Sequence, residues 1–181
     1  MDIAEAQRDM RRGYMSGAAG VLASSLAWAA ATAAAFLASP EQAIWVLFIG
    51  GAMIHPAGLL ISKVLGAPAT HTRGNPLAGL AGASTFWLIL SLPLAYVASM
   101  QRIEWFFPAM LLIIGGRYLT FATIYGMRLY WLLGFALAAA GIALGVLGIQ
   151  PLVSAAVGSA IELVFALAAF ALHSRWAKQS A

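Results

Sequence analysis

"YWLLGFALAAAGIALGVLGI", residues 130–149, runs for twenty residues without a charge. At about 1.5 Å per residue, a helix of that length covers roughly 30 Å, the thickness of a bilayer's hydrocarbon core. Working outward, five more stretches of similar length and few charges appear at 13–38, 42–62, 77–100, 105–127 and 151–173. The joints between them, among them "ASPEQ", "KVLGAPATHTRGN" and "QRIE", hold the glycine, proline and charge that end helices. The whole chain, 1–181, reads as a single transmembrane domain.

Composition agrees. The 181 residues are 62% hydrophobic and 9% charged, with mean hydropathy +0.88, whereas soluble domains carry about 25% charged residues. Lipid offers no partner to backbone N–H and C=O groups, so a spanning chain must be helical or a closed barrel. A barrel needs alternating strands of about ten residues, which are missing here. The expected fold is therefore all-α, a polytopic bundle of six transmembrane helices, arranged either as three hairpin units or as two inverted three-helix halves. The first apolar segment is longer than a signal-peptide core and is read as a retained helix. The "RRGYM" stretch shares only its two arginines with an export signal.

If the helices alternate, Arg8, Arg11, Arg12, Lys63, Arg73, Arg128, Arg175 and Lys178 fall on one side and Arg102 on the other. That asymmetry predicts a membrane protein with both termini cytoplasmic. The basic residues are scattered over short segments, with no arm that could track phosphates. Nucleic acid is therefore excluded as a partner, and membrane lipids are the expected one. The absence of cysteine removes disulfides and thiolate metal sites. Trp45, Trp105 and Trp176 lie near predicted interfaces, as an aromatic belt requires.

Small residues stripe several spans: Gly13, Gly17 and Gly20 in the first, Gly79 and Gly82 in the third, and Gly134, Gly141, Gly145 and Gly148 in the fifth. Such stripes allow helices to approach closely within the bundle, and a homodimer contact is their second use.

Three spans hold one ionisable residue well inside: His55, Arg117 and Glu162. By helical rise, Arg117 lies roughly 20 Å along the helix from Glu104 and roughly 15 Å from Met127, too deep to snorkel with ease. Glu162 lies roughly 16 Å from each end of its span. A lone charge at that depth costs at least about 2.5–3.5 kcal/mol, so Arg117 and Glu162 are expected to face inward and pair. His55, Tyr118, Thr120 and Ser159 can join the same polar network. Pro56 removes a backbone donor beside His55, and with Gly50, Gly51 and Gly58 it gives this span the composition of a kinked or discontinuous helix. Such a group is either a polar cavity or proton path, or a clamp that fixes which helices meet.

No other chemistry presents itself. His55, His71 and His173 have no second ligand at helical spacing, so no metal site is expected. No deep lysine is available for a Schiff base, and no hydrolase or phosphate-loop motif is present, so no cofactor and no catalytic residue are predicted. An enzyme is the weaker expectation, and its form would be intramembrane lipid modification.

The runs "FIGGAMIHPAGLLISKVLG", "TRGNPLAGLAG" and "IIGGRYLTFATIYGM" resemble a family of small bacterial integral membrane proteins of unknown function, over about 12–148. The resemblance implies a bacterial inner membrane protein and transfers no site residue. The leading expectation is a small-solute or proton-linked transporter or binding protein. The alternative is a membrane scaffold whose buried charges only fix packing.

Overall fold

The computed structural model describes residues 1–179 as seven helices with no strand among them: α1 (Ile3–Tyr14), α2 (Ala18–Leu37), α3 (Pro40–Val64), α4 (Pro76–Gln101), α5 (Phe106–Tyr125), α6 (Leu129–Val146) and α7 (Pro151–Gln179). Six helices are long and apolar enough to cross a membrane, α2 being the apolar part of the first. The chain is a multi-pass membrane protein of the class its composition predicts.

Helix starts follow local chemistry. The Ser39 hydroxyl accepts from the Gln42 N–H at 3.3 Å ahead of Pro40. The Asn75 side chain accepts from the Leu77 N–H at 2.9 Å ahead of Pro76. Both pairs place a capping acceptor just before a proline whose missing N–H costs nothing in the first turn.

α2 packs between α3 and α7, and α5 packs between α4 and α6, while α6 also meets α7 and so joins the two sets. The glycines set the spacing. A Cβ on Gly50 would stand 3.0 Å from Ala27 Cβ, and one on Gly58 would stand 3.2 Å from Gly20 Cα, so α3 lies directly against α2. Gly115 and Gly134 allow the same approach between α5 and α6. Lipid is as apolar as a leucine face, so this close contact is what distinguishes helix neighbours from lipid. At the end away from the termini, Trp45, Phe48, Tyr96 and Phe106 form a chain of ring contacts from α4 through α3 to α5, with centroids 5.3–6.3 Å apart.

One element departs from expectation. The first span does not begin at Gly13: α1 is a separate amphipathic helix that opens on an Asp2–Glu5 capping box. It breaks from α2 at Met15, Ser16 and Gly17, three successive residues at φ 52°, 57° and 84°. Met15 and Ser16 are strained there, at about 1–3 kcal/mol each. Buried bonds hold the break: Tyr130 Oη donates to the Ser16 carbonyl at 2.6 Å, and Ser16 Oγ bonds His173 Nδ1 at 2.9 Å. α1 is tied to α5 by Gln7 to the Thr123 carbonyl and by Arg11 to the Tyr125 and Gly126 carbonyls. Asp9 accepts from Thr72 and Asn75 in the α3–α4 connection, at 2.7–2.9 Å.

Candidate functional site

Glu162 is wholly buried, at 0% exposure, on α7. Neither carboxylate oxygen is held in a hydrogen bond of normal geometry. Two hydroxyls lie beside it, Ser24 from α2 and Tyr118 from α5, and the charge of Arg117 acts on it from further away. Native interiors rarely leave buried polar atoms unpartnered.

Helical spacing explains how the site is assembled. α2 and α7 run antiparallel and are cross-linked by a reciprocal pair: Ser25 Oγ donates to the Ser159 carbonyl at 3.0 Å and Ser159 Oγ to the Ser25 carbonyl at 3.1 Å. That register sets Ser24 and Trp28, one turn apart on α2, against Glu162 and Gly158, one turn apart on α7. Gly158 makes room for the indole, since a Cβ there would lie 2.8 Å from Trp28 Cε3 and 3.0 Å from Leu111 Cδ2. Trp28 is also fully buried, and its Nε1 has no partner. Two polar side chains with unmet bonding thus stand on facing elements in the same interior.

Arg117 and Glu162 do not form the expected salt bridge. Among the described residues the one salt bridge is Arg102 with Glu104, at 3.8 Å. The reason lies on α5: Arg117 and Tyr118 are consecutive, so their side chains leave the helix about 100° apart. Tyr118 turns toward Ser24 and Glu162. Arg117 turns toward α4, where Nη2 donates to Thr85 Oγ1 at 3.0 Å, and its guanidinium lies 5.2 Å from the Phe121 ring centre. Its Nε is buried without a partner.

His55 is not brought to this group. It is exposed on α3, as is Pro56. Gly50 and Gly58 face α2, whereas Gly51, one turn before His55, has nothing within 4 Å of where its Cβ would be. His55 therefore shares the outward face of Gly51, about 100° from the contact row. α3 continues unbroken through Pro56; Gly50 and Gly58 serve contact with α2, and Gly51 serves neither contact nor a discontinuity. Thr120 donates to the Arg117 carbonyl on its own helix at 2.7 Å, and Ser159 is engaged with Ser25 as above.

Sequence reading missed Ser24, Trp28 and Thr85. The adjacent Ser24 and Ser25 were a usable signal, because two consecutive hydroxyls in an alanine-rich span need partners. Nothing in Trp28 or Thr85 marked them apart from other residues of their spans.

The chain belongs to a family of unknown function (DUF7010), whose match covers residues 3–172, from α1 well into α7. The resemblance seen in the sequence is thereby established. No curated protein and no solved structure matches the chain.

Proposed function

We propose that this family member is a proton-linked transporter or binding protein for a small solute in the bacterial inner membrane, with Glu162 as the group that takes up and releases the proton. The observation that carries the reading is the wholly buried carboxyl with neither oxygen held in a hydrogen bond of normal geometry. An ionised carboxylate in a dry interior is costly, and proton uptake is the smallest change that removes the charge. Ser24 and Tyr118 supply hydroxyls that can hand a proton on or bond a polar solute. Arg117 stands off far enough to bias the carboxylate without quenching it. Both termini lie on the cytoplasmic side in this reading, as the lysine and arginine asymmetry requires.

The competing reading is a membrane scaffold. It draws on the Ser25–Ser159 clamp and on the engagement of Arg117 by Thr85 and Phe121. Infrared difference spectra of the protein in liposomes, recorded across pH, separate the two. A carboxylic acid band that titrates reversibly in the wild type and is missing in Glu162→Gln, together with proton flux in the wild type alone, is the expected result. A Glu162 band that does not change with pH, with no flux in either protein, overturns the transport reading in favour of the scaffold.

A further inference from the structure

A second polar feature lies at the end of the molecule that carries the termini. A pocket of about 430 Å³ opens between α1, the α5–α6 turn and the last turns of α7. Three arginines line it: Arg11 from α1, Arg128 from the turn and Arg175 from α7. No aspartate or glutamate does. Asp9, the acid nearest in sequence on α1, is engaged by Thr72 and Asn75. Arg11 is already committed to the Tyr125 and Gly126 carbonyls and stacks over Trp176 at 5.7 Å. Arg128 and Arg175 are exposed, and among the described residues neither side chain makes a hydrogen bond or ion pair. The rest of the wall is mostly apolar, from Met127, Leu129, Leu172 and Trp176, with Ser16 and Gln179 as its neutral polar members. Arg128 also stands at the start of α6, whose first turn has no side-chain cap.

We infer that this pocket binds the phosphate of an anionic phospholipid. Two unpaired guanidiniums on separate elements suit an anion with several oxygens, since arginine presents a planar fork of donors to phosphate. A soluble phosphate would be served by the charges alone. The mostly apolar wall argues for a ligand with an attached hydrocarbon portion, because Leu129 is half-buried at the head of α6 and Leu172 is exposed on α7, both at the ends of membrane-spanning segments. Basic pockets between helices at a membrane surface take lipid head groups by the same combination. The site is independent of the proton reading at Glu162 and needs no transport to be detected.

Native mass spectrometry of the detergent-purified protein tests it, with phosphatidylglycerol, phosphatidylcholine and inorganic phosphate as probes. Phosphatidylglycerol is expected to bind in preference to phosphatidylcholine and to resist millimolar phosphate. One arginine beside an anionic head group is worth roughly fivefold in affinity, so Arg128→Gln with Arg175→Gln should weaken binding roughly thirtyfold. Arg12→Gln, on the neighbouring pocket, should leave it unchanged. Equal binding of the two lipids, an unaffected double variant or an equal loss in Arg12→Gln would overturn the proposal. Full displacement by inorganic phosphate would assign the pocket to a soluble anion and overturn the lipid assignment.

Discussion

A Cβ at Gly158 would press on Trp28 and Leu111 together, at 2.8 Å and 3.0 Å. Neither neighbour can yield easily, because both are fully buried. Gly158→Ala should therefore force α7 away from α2 and cost about 1–3 kcal/mol, the usual range for overpacking a filled core. Gly51→Ala should cost nothing measurable, since its Cβ meets open space. Thermal melting of the two variants in one detergent checks the contrast, and equal melting temperatures would mean that the indole is not clamped at the site. The two glycines look alike in the sequence. What separates them is the direction each faces, and that same ambiguity made His55 look like a partner of Glu162. The depth of a residue can be counted from the ends of its span, but its facing direction cannot be read from a helix that is apolar all round.

Among the elements, α1 carries the clearest local signature. Asp2 and Glu5, three apart at the head of "DIAEAQRDM", are a capping box in sequence as in structure, but an apolar-span search passes over a charged helix. Its break from α2 was not readable, because Met15 and Ser16 carry no sign of positive φ. The strain persists because α6 and α7 hold the turn. Tyr130→Phe removes the donor to the Ser16 carbonyl, a buried bond of 2.6 Å, and leaves that acceptor unmet at about 1–3 kcal/mol. Faster amide exchange should then appear across residues 3–17, with protection of α4 and α5 little changed. Uniform loosening of every helix in hydrogen exchange would show instead that the turn is part of the global core.

For the molecule as a whole, six spans were legible because twenty uncharged residues have few other fates. Which spans touch was not, since a lipid-facing leucine and a core leucine are chemically equivalent choices. Tryptophan shows the limit: Trp28 is fully buried, yet Trp87, equally deep in its span by sequence, is 65% exposed. Orientation rests on charge alone, and the cysteine-free sequence makes it directly testable. α1, the α3–α4 connection, the α5–α6 turn and the end of α7 lie together at one end of the bundle. Single cysteines at Arg73 and Gln179 should therefore behave alike and opposite to one at Gln101. In intact cells with a permeabilised outer membrane, a membrane-impermeant maleimide should label Gln101→Cys, while Arg73→Cys and Gln179→Cys should react only after the inner membrane is opened. The reverse pattern would place the basic end outside and overturn the assigned direction. Labelling of all three from outside would mean that the chain adopts both orientations, as expected only if eight basic residues against one fail to bias insertion.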